Sequence, residues 1–102
     1  MKVYSEEEIR ERLGALPQWH YEEGYLTREY STKNWRETSF LFNAIASLAE
    51  VHWHHPDLEV SYKKLKVKLL THEAKGITDR DFELAGEIEK TVSLLAKRWY
   101  NI

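Results

Sequence analysis

The sequence predicts an α+β fold in which one four-stranded antiparallel sheet carries three helices on a single face, in the order α-β-β-α-β-β-α. Three observations predict it. Capping-box signatures open amphipathic stretches near each end, a long apolar-faced stretch occupies the middle, and two runs of alternating residues between them read as hairpins. At 102 residues the chain has room for a single domain, residues 1–102, with one core.

Ser5 followed by Glu8 forms the first capping box, and Ile9, Leu13 and Leu16 continue at helical spacing. The first helix is therefore expected over Glu6 to Leu16, ended by Pro17. From Trp19 to Tyr30 aromatics and threonines surround the turn pair Glu23-Gly24, which predicts a hairpin. Thr32 or Asn34 can cap the middle helix, Trp35 to His52. There Leu41, Ile45, Leu48 and His52 share one face, while Phe42, Ala46 and Ala49 share an adjacent one. So wide an arc suits two partners, the protein's own sheet and a second copy of the chain.

Pro56 disfavours helical geometry at His55, so the chain turns extended there. Leu58, Val60 and Tyr62 alternate with polar residues, and Leu65, Val67 and Leu69 alternate with Lys64, Lys66 and Lys68, predicting a second hairpin with its turn at Lys63-Lys64. Gly76 interrupts the pattern. Thr78 with Asp81 makes another capping box, and Leu84, Ile88, Val92, Leu95 and Trp99 mark a final helix to about Tyr100.

Composition excludes several classes of function. A formal net charge of −2 gives no global attraction to nucleic acid or anionic membrane. No apolar run approaches a membrane span and the N-terminus lacks a signal-like apolar stretch, so a cytoplasmic protein is expected. With no cysteine, thiolate nucleophiles and zinc-thiolate sites are excluded, leaving histidine and carboxylate chemistry.

That chemistry is concentrated. Four of the five histidines fall within residues 52 to 72, and His54 and His55 are adjacent. His72 follows the last strand. With the turn at Lys63-Lys64, the residue sums set position 72 opposite about position 55, bringing three imidazoles to one end of the sheet. Glu50, one helical turn before His54, can join them. Three readings are open on spacing alone: surface or capping histidines without chemistry, a metal site from His52, His54 and His72, and proton transfer by imidazoles titrating near neutrality. The metal reading lacks a recognised ligand motif.

The pattern Glu50-x-x-x-His54-His55-Pro56, five residues to Tyr62, nine more to His72 and eight more to Asp81 resembles the signature of the pterin-4a-carbinolamine dehydratase family. The likeness extends over nearly the whole chain. Trp19 falls where the family opens its first hairpin with Trp, and Thr71-His72-Glu73, Gly76 and Arg80-Asp81 resemble the segment before its last helix. The resemblance implies dehydration of 4a-hydroxytetrahydropterin to quinonoid dihydropterin and water, in tetrahydrobiopterin recycling, with neither metal nor organic cofactor. It implies a triad of His54, His55 and His72, with His54 and His72 as the acid and base pair and His55 mainly a pterin-binding donor. Glu50 is expected to bond a pterin N–H or orient a histidine. Trp19 is expected either to wall the pocket by stacking or to be a core aromatic. It also implies dimers pairing into tetramers through the middle helix, residues 35–52. Animal members usually carry Asp where this chain has Trp53.

Several residues receive structural readings. Asp81 is expected to cap the last helix, Tyr62 to pack in the core or on the sheet face, His52 to be packed or at an interface, and His20 to be a surface strand residue. The rival function is a binding module, either a transcription-factor dimerisation cofactor or a nucleic-acid binder. Lys63, Lys64, Lys66 and Lys68 form a basic stripe, but no interleaved aromatic is available to stack bases, so nucleic acid is disfavoured.

Overall fold

The computed structural model describes residues 1–98. Its elements are α1 (Glu6–Arg12), continued by a 3-10 turn over Leu13–Ala15, β1 (His20–Glu22), β2 (Tyr25–Ser31), α2 (Trp35–His52), β3 (Asp57–Ser61), β4 (Lys64–Leu69), a 3-10 turn over His72–Ala74, and α3 (Asp79–Arg98). Both parts of the Ser5–Glu8 capping box form. Asn34, rather than Thr32, caps α2 by accepting from the Glu37 amide. The expected Trp99 and Tyr100 end of the last helix lies outside the described residues.

The strands form one antiparallel sheet in the order β1-β2-β4-β3. Glu23 and Gly24 both take positive φ, the geometry whose twist matches a tight two-residue hairpin. Along β2 and β4, Leu26, Arg28 and Tyr30 pair with Leu69, Val67 and Leu65, so these side chains share one face. That face, with Ile9, Leu41, Ile45, Leu84, Ile88 and Val92 from the helices, makes the core. Glu89 of α3 reaches over it, and one carboxylate oxygen accepts from Trp19 Nε1 at 2.8 Å, Arg28 Nε at 2.9 Å and Tyr30 hydroxyl at 2.9 Å. Burial and the Glu89 charge push the Tyr30 phenol well above its ordinary range. On the opposite face the lysine stripe is matched by acids, Lys64 with Glu29, Lys66 with Glu22 and Lys68 with Glu59.

The second hairpin departs from its expected register. Ser61 pairs with Lys64, so the turn is Tyr62-Lys63, and position 55 faces 70 rather than 72. The shift leaves every side chain on its expected face, because each pairing sum changes by an even step. The turn is held from outside the hairpin, where the Thr38 hydroxyl donates to the Tyr62 carbonyl at 2.8 Å and the Thr32 amide to that of Lys63 at 2.9 Å. Tyr62 is accordingly an exposed turn residue, not a packed one. His52 is exposed as well, since the buried line of α2 runs through Leu41, Ile45 and Ala49 and has rotated past it by the last turn. His20 is an exposed strand residue paired with Glu22. Among the described residues no helix is long and apolar enough to cross a membrane.

Candidate active site

Three local devices deliver the histidines to one place. The first is the end of α2, where Trp53 adopts the left-handed conformation (φ 50, ψ 46) and the His54 amide donates back to the Ala49 carbonyl at 3.1 Å. This closes the helix and turns His54 inward. The second is Pro56, which sends His55 directly into the extended approach to β3. The third is the loop after β4, pinned by a bridge between Thr71 and Gly76 whose amides and carbonyls bond each other at 3.1 and 3.4 Å, so that the turn carrying His72 is a closed loop. Gly76 lets the Val3 side chain pack closely on this loop, since a Cβ there would meet Val3 Cγ1.

Together these place Trp53, His54, His55, Leu70, His72, Glu73 and Arg80 around a cleft of about 220 Å3. That is smaller than the roughly 300–1,000 Å3 of sites for drug-sized ligands, and suits a compact heterocycle. The expected convergence of His54, His55 and His72 is thus a geometric fact, reached through a different register. His72 and His55 are exposed, whereas His54 is 6% exposed.

His54 owes its orientation to Asp81. Its Nε2 lies 2.6 Å from Asp81 Oδ1, and Asp81 is completely buried. The other carboxylate oxygen accepts from the Thr78 amide at 2.9 Å and the Thr71 hydroxyl at 2.7 Å. Because the Thr71 proton is given to Asp81, the Thr78 hydroxyl must donate to Thr71 across their 2.8 Å contact, a directed chain of donors converging on one carboxylate. Asp81 therefore caps α3, as expected, and also holds a cleft histidine, which was not expected. With Nε2 committed, Nδ1 is the nitrogen that His54 offers to the cleft. In the neutral ring the proton sits on Nε2, facing the carboxylate, and Nδ1 carries the lone pair.

The remaining carboxylates divide between the other groups. Glu50 Oε2 meets His55 Nε2 at 2.6 Å on the exposed side of the site, so it orients His55. Arg80 donates through Nη2 to the Trp53 carbonyl at 2.6 Å and through Nη1 to Glu73 at 3.1 Å. The Glu73 backbone N–H and the Arg80 guanidinium hold the Glu73 carboxyl below the usual range. Trp19 is absent from the cleft. It is buried in the core and bonded to Glu89, so of its two expected roles the structural one applies and the wall is formed by Trp53. Glu73 and Arg80 belong to the family-like segment and Trp53 stands where animal members carry Asp, but the sequence assigned none of the three to the cleft. Among the described residues no group of three or more His, Cys, Asp or Glu side chains is arranged to hold a metal ion.

The chain is similar to several known proteins. A protein of Aquifex aeolicus with the provisional name pterin-4-alpha-carbinolamine dehydratase is 57% identical over 97 residues, covering 95% of this chain and 98% of its own length. One from Sulfolobus acidocaldarius, provisionally named in the same way, is 40% identical over 83% of this chain and 93% of its own. The crystal structure of a transcriptional coactivator/pterin dehydratase from Brucella melitensis superposes with a TM-score of 0.81 at 27% identity, over 87% of this chain and 97% of that one. A pterin dehydratase-like RuBisCO assembly factor of the alpha-carboxysome shares the fold at a TM-score of 0.58 and 14% identity, over 71% of this chain and 83% of that one. The family model described as pterin 4 alpha carbinolamine dehydratase matches residues 2–91, and the chain belongs to that family.

Proposed function

We propose that this cleft dehydrates a 4a-hydroxytetrahydropterin to the quinonoid dihydropterin and water by imidazole acid/base catalysis, as a cytoplasmic step of tetrahydrobiopterin recycling. The observation that carries the reading is the buried His54–Asp81 pair at 2.6 Å beside two exposed imidazoles. The reaction breaks the bond from C4a to its hydroxyl and forms a double bond from C4a to the adjacent ring nitrogen. One proton goes to the departing oxygen, one leaves the ring N–H, and nothing is oxidised or reduced. His54 is the base, because Nδ1 accepts the proton while the Asp81 carboxylate faces the imidazolium that results. His72, exposed at the cleft, is the acid. His55, steadied by Glu50, donates to the pterin. Solvent returns the protons between turnovers. Each transfer contributes about 10²–10⁴ in rate.

A second reading, a non-catalytic binding module, is favoured by one finding, the coactivator name that the Brucella neighbour carries beside pterin dehydratase. The test is turnover of 4a-hydroxytetrahydropterin by the wild type and by His72→Ala. The dehydratase reading expects the variant to be at least about tenfold slower. Pterin binding without acceleration by the wild type favours the module. Self-association through α2 belongs to the same proposal, since Phe40 and Val51 are large apolar side chains exposed along one side of that helix, Val51 at 78%. Light scattering tests it, with a dimer or tetramer expected and a monomer at micromolar concentration against it.

A further inference from the structure

Trp53 is an anomaly in two respects. Its φ of 50° lies in the left-handed region, where glycine or asparagine costs least and a bulky side chain is rare. It is also 70% exposed, so hydrophobic burial does not account for its presence. A backbone position that a glycine would occupy more cheaply has been given the largest side chain, on the wall of the cleft.

The conformation is braced. Arg80 donates to the Trp53 carbonyl at 2.6 Å while its other arm is held by Glu73 at 3.1 Å, so the first turn of α3 clamps the end of α2. The indole stands 5.0 Å from the His55 ring at an interplanar angle of 81°, edge to face. This favoured packing geometry seats the indole beside His55 without a parallel stack between the two rings.

We propose that Trp53 is the stacking platform that selects a flat heterocycle in this cleft, and that Arg80 is the positioning residue that holds the platform in place. The inference rests on the pterin reading above and names the part of the ligand that is recognised, its planar ring face. His54 and His72 act on the ring N–H and on the 4a-hydroxyl, which stands out of the ring plane, whereas the indole binds the ring's surface, so Trp53 acts on affinity and those two histidines on turnover.

The test measures kcat and KM for 4a-hydroxytetrahydropterin dehydration, and calorimetric binding of biopterin as an unreactive flat probe, in the wild type, Trp53→Gly, Trp53→Phe and Arg80→Met. Trp53→Gly raises KM and weakens biopterin binding by about tenfold, the scale of one ring stack, with kcat within about twofold. Its melting midpoint does not fall, because glycine suits the left-handed position better. Trp53→Phe recovers most of the affinity. Arg80→Met moves KM in the same direction, and the double variant with Trp53→Gly loses no more than Trp53→Gly alone. An unchanged KM and biopterin affinity in Trp53→Gly overturns the platform while leaving the dehydratase reading intact, and additive losses overturn the role of Arg80. A wild type that binds biopterin but does not accelerate dehydration overturns the dehydratase reading, and the platform is then judged by binding alone. A wild type that does neither overturns both.

Discussion

Asp81→Asn separates a residue that only caps a helix from one that also holds a catalytic histidine. Asp81 accepts from His54 Nε2 at 2.6 Å, the Thr71 hydroxyl at 2.7 Å and the Thr78 amide at 2.9 Å, all buried. The replacement amide has one oxygen for donors on two sides. If the oxygen stays toward His54, its NH2 faces two donors, Thr71 and Thr78. If it turns toward the threonines, the NH2 faces His54 Nε2, which must then become the acceptor and move its proton to Nδ1. The first arrangement strains the buried network and the second gives His54 the wrong tautomer, with no lone pair toward the cleft. Each frustrated buried contact costs about 1–3 kcal/mol, so unfolding free energy should fall by about 2–4 kcal/mol. For a chain near this length that lowers the melting midpoint by roughly 10–25 °C. Catalysis should fall by more than stability explains, at least about 10²-fold in kcat at a temperature where the variant is fully folded. Stopped-flow dehydration and urea unfolding on the same preparation give both numbers. Thr71→Val is the control: it removes a donor to Asp81 without touching the His54 contact, so it should lose about 1–3 kcal/mol and keep kcat within about threefold. An Asp81→Asn variant that is destabilised as expected yet turns over within twofold of the wild type refutes the reasoning, leaving Asp81 as a cap.

Other outcomes follow from the same structure. Glu89→Ala leaves the donors of Trp19, Arg28 and Tyr30 without their shared acceptor and should cost about 2–5 kcal/mol in urea unfolding with kcat unchanged, because that cluster lies away from the cleft. Ile45→Ala, at a fully buried position, should cost about 2–5 kcal/mol by the same assay. Glu8 is held down to about 2 from its ordinary 4.5, first by its bond to Lys2 and then by the Ser5 amide. Its contribution is therefore present above about pH 4.5 and lost as pH falls toward 2, so the urea midpoint of Glu8→Gln should depend less on pH across that window than that of the wild type. The pH profile of kcat/KM should be bell-shaped, reporting one imidazole that must be neutral and one that must be protonated; a flat profile between pH 5 and 9 would remove both roles.

The order of elements was legible because each rests on local chemistry: Ser5 with Glu8, Glu23-Gly24, Pro56 and Thr78 with Asp81 all act within a few residues of themselves. The turn of the second hairpin was misplaced by one residue because Thr32 and Thr38, distant in sequence, hold it. Alternation could not reveal the error, since both registers put the same side chains inside. The histidines could be grouped from spacing, but the partner of His54 could not. Asp81 lies 27 residues away and already had a sufficient local role as a cap. Trp19 illustrates the converse, a position that matched a pattern but whose indole is turned into the core by Glu89. The clamp of Arg80 on Trp53 was not legible because it runs from a side chain to a backbone carbonyl, which no residue pattern encodes.

The central claim is that the His54, His55 and His72 cleft moves protons on a pterin. Single-turnover stopped-flow dehydration of 4a-hydroxytetrahydropterin, with protein in excess of substrate, tests it most directly by removing product release from the observed rate. The account predicts that the wild type exceeds the buffer reaction by at least about 10²-fold and that His54→Ala removes at least about tenfold of that while remaining folded. A wild-type rate equal to that of buffer, or a His54→Ala rate equal to that of the wild type, would contradict it.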